Sequence, residues 1–314
     1  MIDFTRKLEQ SRGYLSVAVN NDTVDYLELA YLQALNIKIT QSITNYAVIV
    51  DNNTLVQIKD KHRNVFDKII VIDEWSFLHE WQVYNLTPWK ETVKIDVDLI
   101  FTRDITHWWD TMSLRDVVFT TKIYNYKEHP ITSRWHRKQF DNNLLPDIYT
   151  ALYYFRHDNG AMRRQSADFF KTVQEVSSDI SSITKQMRGL AEKNIGDDEL
   201  FAIASLIHGE DSVIQREYTV PQIVHFKNQL NDLPPGAPWS TQLYVEPVIE
   251  RNQLRLNIGH YPQLIPAIHY CDKTLIENTN ILEVHEQFFK EFPQRSQRNI
   301  STSPVTENTM VCDV

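Results

Sequence analysis

The sequence predicts an α/β fold in which a mixed, mainly parallel central sheet is flanked by helices. Two observations carry this. Short, near-continuous apolar runs rich in β-branched residues recur through the first half of the chain. Segments with apolar residues at helical spacing separate them. Strands that are apolar on both sides need covering on both sides, and helices between successive strands supply that cover.

In order, YLSVAVN (Tyr14 to Asn20) is a first strand. Asp22 is a plausible N-cap for the next segment, where Val24, Leu27, Tyr31, Ala34 and Leu35 recur at helical spacing. YAVIVD (Tyr46 to Asp51) is a second strand, NTLVQIKDKHRNVF a helix, and DKIIVID (Asp67 to Asp73) a third strand. ETVKID (Glu91 to Asp96) is a fourth, and DVVFTT (Asp116 to Thr121) and DIYTALYYF (Asp147 to Phe155) continue the series. NDLPPGAPW (Asn231 to Trp239) is a rigid loop by its prolines. One domain is expected over residues 1–291, and a polar, disordered tail over 292–314.

At 314 residues the chain can bury a large core. No window reaches the apolar length of a membrane span, and the N-terminal segment has no apolar signal core. With two cysteines, Cys271 and Cys312, a disulfide framework is excluded, a zinc-cysteine site is not expected, and a cytoplasmic protein with no membrane partner is expected. The net charge of −9 argues against a general nucleic-acid coat but leaves room for a local basic groove.

The fourth strand runs into a D-x-D, Asp96 and Asp98. Open α/β sheets bind ligands beyond the carboxyl ends of their strands. Two carboxylates placed there repel one another unless a cation lies between them, and oxygen ligands suit Mg²⁺ or Mn²⁺. The same pair also serves elsewhere as one helix cap and one solvated side chain.

The order of motifs resembles that of GT-A glycosyltransferases, nearest to glycogenin and the bacterial galactosyltransferases. VKIDVDLIFTRDI looks like that family's metal-binding segment, with Asp96 and Asp98 at the motif aspartates. YTALYYFR (Tyr149 to Arg156) occupies the place of a later strand, without its usual Asn and Gly. GDDELFAIA (Gly196 to Ala204) looks like the acidic motif near the transferred sugar. IVHFKNQ, followed by Pro238 and Trp239, looks like the late histidine motif, although it lacks that motif's glycine.

The resemblance implies a GT-A-like domain that moves a sugar from a nucleotide-sugar, with a UDP-sugar favoured. It implies Asp96, Asp98 and His225 as metal ligands, with Mn²⁺ preferred over Mg²⁺ because imidazole joins the oxygens. Asp197 and Asp198 fall near the transferred sugar, and Lys227 and Asp96 near the diphosphate. Asn20, Asn21, Asp22 and Tyr26 fall near the base and ribose; cap and turn roles remain open for these polar residues. DVDLIFT also resembles the first motif of haloacid-dehalogenase phosphatases, whose first Asp is a nucleophile; here three predicted strands precede it.

For the acceptor, TSRWHRKQF places Arg134, His136, Arg137 and Lys138 around Trp135. Arg156, Arg163, Arg164, Lys185, Arg188 and Lys193 follow. Aromatics among basic residues suit a nucleic-acid backbone with unstacked bases, whereas charge runs are commonly solvated helix faces. The chain is similar, loosely, to bacteriophage enzymes that glycosylate 5-hydroxymethylcytosine in DNA, which implies a DNA acceptor. A glycan or a protein side chain is the competing acceptor.

Overall fold

The computed structural model describes residues 9–132, 135–157, 164–191 and 195–292. Arg134, Arg163, Lys193 and all but the first residue of the expected C-terminal tail lie outside them.

Thirteen strands are present among the described residues. The first eight are β1 (Glu9–Val17), β2 (Tyr46–Asp51), β3 (Lys68–Ile72), β4 (Trp89–Ile95), β5 (Leu99–Phe101), β6 (Val117–Thr120), β7 (Lys122–Tyr124) and β8 (Tyr149–Arg156). The others are β9 (Gln222–His225), β10 (Val245–Glu250), β11 (Gln253–Ile258), β12 (Tyr261–Pro262) and β13 (Ala267–His269). Six form the central sheet in the order β3-β2-β1-β4-β8-β6. β1 pairs in parallel with β2 and β4, and β2 with β3, while β8 runs antiparallel to both β4 and β6. The sheet is therefore mixed and mainly parallel, flanked by helices.

Alternation along each strand fills both faces. Tyr14, Tyr46, Val48, Val93, Leu152 and Tyr154 enter one buried cluster, which includes the helix Tyr26–Thr40. Leu15, Ala47, Ile49, Tyr153 and Phe155 enter the other, beneath the helices Gln165–Ser178 and Asp197–His208. The helix Tyr26–Thr40 is buried on nearly all sides, because the helix Ile281–Glu291 and β5 cover what the sheet does not. Its N-cap is Asp25, whose side chain accepts from the Glu28 backbone N–H at 3.1 Å; Asp22 lies before the helix.

The expected helix over NTLVQIKDKHRNVF is two short turns, Asn52–Leu55 and Asp60–Arg63. The break lies between them, where Val56 faces solvent and Ile58 turns into the core. His62 restarts the second turn by accepting from the Lys59 N–H at 3.1 Å.

Two smaller sheets lie beyond the motifs. β5-β13-β9-β7 is four-stranded, and β10-β11-β12 is an antiparallel meander. In the former, β13 runs antiparallel to β5 and parallel to β9, with His269 opposite His225. Among the described residues no helix is long and apolar enough to cross a membrane.

Candidate active site at the strand ends

The D-x-D turn is fixed from three sides. Within the helix Tyr26–Thr40, buried Gln33 donates to the carbonyls of Asp96 and Leu99 at 2.5 and 2.7 Å. Its carbonyl oxygen accepts from the Ser16 and Tyr46 hydroxyls. Asn36, one turn on, exchanges two hydrogen bonds with the Phe101 backbone at 2.7 and 2.9 Å. From the other side, the Tyr270 N–H donates to the Asp98 carbonyl at 2.9 Å, and the Asp96 N–H donates to that of Ala151 at 3.0 Å. Val97 between the aspartates is buried.

This anchoring brings β13 against the carboxylates. His269 Nε2 lies 3.3 Å from Asp98 Oδ1 and 3.7 Å from Asp96 Oδ2. Ligand atoms of Asp96, Asp98 and His269 all lie within 4.8 Å of one another. Lys273 pairs with the other oxygen of Asp98, and its ammonium sits 5.5 Å from the Tyr26 ring centre. The loop carrying Lys273 is braced in turn. Trp239 Nε1 donates to the Tyr270 carbonyl at 2.6 Å and stacks on Phe226, and Asp272 accepts from Ser240 and Thr274.

On the opposite side, buried Lys94 bridges Asp96 and Glu80 at 2.7 Å each, and Glu80 accepts from the Tyr153 hydroxyl at 3.0 Å. Asp197 and Asp198 open the helix Asp197–His208. They divide the work. Asp198 accepts from the Thr150 backbone and hydroxyl at 2.8 and 2.7 Å and lies 3.4 Å from Arg137, so it ties the helix to β8. Asp197 instead shares the field of Asp96, Lys94 and Glu80.

Four carboxylates (Glu80, Asp96, Asp98 and Asp197) thus surround two lysines and one imidazole. Burial opposes ionisation of Asp98, but His269 and Lys273 outweigh it and hold the carboxyl well below its usual range. Burial likewise opposes a charged His269, yet Cys271 and Asp98 outweigh it and hold the imidazole well above its usual value. Asp197 is pushed up to about 7, first by burial and then by the charges of Asp198 and Asp96. The charges of Asp198 and Asp96 act on Asp197 in the same direction as its burial, and Lys94 opposes them. Two carboxylate oxygens and one imidazole at this spacing fit a divalent ion such as Mn²⁺ or Mg²⁺.

The remaining sequence candidates fall as follows. His269, not His225, meets the aspartates. His225 stands behind it, its Nδ1 3.1 Å from His269 Nδ1 and its pKa lowered well below the usual value by burial and then by the charge of His269. The reason is register: the two histidines end adjacent parallel strands, and β13 is the one paired to the segment that follows the aspartates. Lys227 is exposed beyond His225, and the lysine beside the aspartates is Lys273.

Asn20 accepts from the Leu27 N–H and donates to Asp25 and Gln57, Asn21 caps the turn through Thr23 and Val24, and Asp22 is exposed. Asn20 and Asn21 thus bond within the turn before the helix, while Tyr26 borders the cluster.

Trp135 and Lys138 are exposed, and the His136 ring lies edge-on to Trp135. Arg137 is turned inward, bonded to Asp147 and the Ile148 carbonyl and set over Tyr149 and Phe140. Arg156 pairs with Glu91, and Arg164 with Asp116. His269, Cys271 and Lys273 carried one legible signal, the run AIHYCDK, in which a short apolar segment ends in a histidine with a cysteine and a lysine close behind.

No family model and no curated protein matches the chain. Among solved structures it is similar to mouse xyloside xylosyltransferase 1 in its apo form, with 10% identity and a TM-score of 0.42 over 65% of this chain and 84% of that one. It is also similar to the glycosyltransferase GlyE of Streptococcus pneumoniae TIGR4, with 9% identity and a TM-score of 0.38. That match covers 67% of this chain and 46% of GlyE, less than half of GlyE's length.

Proposed function

We propose that the protein is a divalent-metal-dependent glycosyltransferase that draws on a nucleotide-sugar, with a UDP-sugar as the favoured donor. The observation that carries this reading is the convergence of Asp96, Asp98 and His269 at the strand ends, beside Asp197. Asp96, Asp98 and His269 would hold the ion, and a bound Mn²⁺ or Mg²⁺ supplies Lewis-acid stabilisation of a departing diphosphate. Lys273 is placed to meet a phosphate oxygen and Tyr26 to lie along the nucleotide. Asp197, with its raised pKa, can hold or release a proton at its carboxyl near the transferred sugar.

The haloacid-dehalogenase reading needs Asp98 as a general acid. Lys273 and His269 favour its ionised form over the protonated form that role requires. For the acceptor we retain 5-hydroxymethylcytosine in DNA as the candidate to test first, ahead of a glycan or a protein side chain. Its support is the exposed set Trp135, Lys138, Lys185 and Arg188. A cytoplasmic setting belongs to the same proposal.

The test is a thermal-shift panel of UDP, GDP and ADP with and without Mn²⁺, on wild type and Asp98→Asn. A ligand at about a hundred times its dissociation constant stabilises by roughly 2.7 kcal/mol, a shift of several degrees for a chain of this size. A UDP shift that needs Mn²⁺ and vanishes in Asp98→Asn is the expected result. Cooperative melting with no nucleotide response would sink the proposal.

A further inference from the structure

Behind the carboxylates lies a second cluster of different chemistry. His225, His269 and Cys271 each offer one ligand atom, all within 4.8 Å of one another. His225 Nδ1 stands 3.1 Å from His269 Nδ1 and 3.9 Å from Cys271 Sγ. Both imidazoles are buried, and the half-buried thiol forms the open side. Cys271, two residues beyond the strand end at His269, adopts a left-handed backbone conformation (φ 56°).

We propose that His225, His269 and Cys271 form a site for a thiophilic divalent cation of the zinc class, distinct from the carboxylate site and sharing His269 with it. Zinc bonds of about 2.0 Å to nitrogen and about 2.3 Å to sulfur, at tetrahedral angles, place nitrogens about 3.3 Å apart and nitrogen and sulfur about 3.5 Å apart. The observed separations differ from these by a few tenths of an ångström, within the reach of side-chain adjustment. Two imidazoles and a thiolate select zinc over the oxygen-seeking Mn²⁺ and Mg²⁺.

The shared histidine couples the sites. A neutral imidazole has one lone pair to give. A cation on His269 Nδ1 leaves Nε2 as an N–H, which donates to Asp98 instead of ligating beside it. Occupancy of the sulfur site therefore opposes occupancy of the carboxylate site. This coupling, unlike the site itself, rests on the function proposed above.

Co²⁺ titration of the full chain, followed by absorption spectroscopy, tests the site. One equivalent should raise a thiolate-to-cobalt band and tetrahedral visible bands, both bleached by Zn²⁺. The thiolate band should be lost in Cys271→Ser and kept in Cys312→Ser and Asp98→Asn. Absence of the band in wild type, or its survival in Cys271→Ser, overturns the proposal.

Alkylation of the wild type, read by mass spectrometry, needs no variant. Zn²⁺ should slow modification of Cys271 by about tenfold or more, the scale on which metal-site partners alter affinity, and leave Cys312 unchanged. Equal rates with and without Zn²⁺ overturn it. Coupling is read from the electron spin resonance of free Mn²⁺. Zn²⁺ should release bound Mn²⁺ from wild type at a concentration that does not release it from Cys271→Ser. Release from both, or from neither, overturns the coupling. If Mn²⁺ never binds, the function proposed above fails while the cobalt spectrum still decides the sulfur site.

Discussion

Asp197 is the residue whose environment makes the sharpest demand. Its carboxyl rises from 3.8 to about 7, chiefly through burial and then through Asp198 and Asp96. In the metal-free protein the folded chain therefore holds a proton that the unfolded chain has lost between about pH 4 and pH 7. The folded state then binds more protons than the unfolded one, so stability falls as pH rises through that window. Asp197→Asn should remove this decline. At pH 8, in chelator, the variant should be more stable than wild type by about 2 kcal/mol, a value discounted for the partial exposure of the side chain. Urea denaturation at pH 5 and pH 8 reads it, and an unchanged pH dependence would refute the assignment. His269 carries the converse lesson. It is held protonated beside Asp98, so it must lose that proton to bind a metal, and Mn²⁺ should bind more tightly as pH rises. Calorimetric titrations with Mn²⁺ at two pH values would check the direction.

Among elements, the helix Tyr26–Thr40 does more than cover the sheet. Gln33 and Asn36, one turn apart, satisfy the backbone of the D-x-D turn and of β5. Gln33→Leu would remove the acceptor of the Ser16 and Tyr46 hydroxyls and the donor to the Asp96 and Leu99 carbonyls, with Ser16 keeping the Ile95 carbonyl and Asp96 keeping the Leu99 N–H. A loss of about 3 kcal/mol is expected from chemical denaturation, together with a Mn²⁺ affinity roughly tenfold weaker. A variant that loses stability but keeps its metal affinity would show that the turn holds its shape unaided. Strand packing sets a second demand. A Cβ on Gly13 of β1 would come within 2.6 Å of the Trp89 indole, which is buried and whose Nε1 donates to the Tyr14 carbonyl at 3.1 Å. Because a rigid buried ring has nowhere to move, Gly13→Ala should destabilise by about 1–3 kcal/mol, seen as a lower denaturation midpoint at unchanged slope.

On the scale of the whole molecule, the helix Ile281–Glu291 returns to the helix Tyr26–Thr40 and joins the two ends of the described chain. Buried His285 makes the joint. Its Nδ1–H donates to the Ile281 carbonyl at 2.7 Å, and its Nε2 faces the Asn36 amide at 3.2 Å. Both contacts suit the neutral ring, and burial lowers its pKa to about 4. Here the folded chain binds fewer protons than the unfolded one. Stability is present above about pH 6.5 and is lost progressively as pH falls to about 4, by about 3 kcal/mol in all. His285→Gln should flatten this acid limb of the stability curve while lowering stability at pH 7. An acid limb of the same steepness in the variant would place its origin elsewhere.

By itself the sequence determined the strands of the main sheet and the place of the paired aspartates. Tyr46 to Asp51 and the neighbouring runs are near-continuously apolar, a local pattern legible before any pairing is known. What it could not determine was which distant histidine closes the cluster. His225 and His269 both end short buried strands, and the resemblance of IVHFKNQ and the later Pro-Trp pair to the late histidine motif put His225 first. The pairing of β13 with β5 decides for His269, and that contact spans more than half of the chain. The polar partners of the turn escaped notice for a related reason. Gln33 and Asn36 interrupt an apolar helix, and only the approach of a strand end tells a buried amide from a solvated one. Within the basic run around Trp135 the sequence did not say which charge turns inward, since a charge written beside an aromatic says nothing of where its counter-ion lies. Arg137 found Asp147 and Asp198 inside the fold. Local periodicity is a property of neighbours in the chain, whereas a binding cluster is a property of neighbours in space. Only the folded sheet brings the two into register.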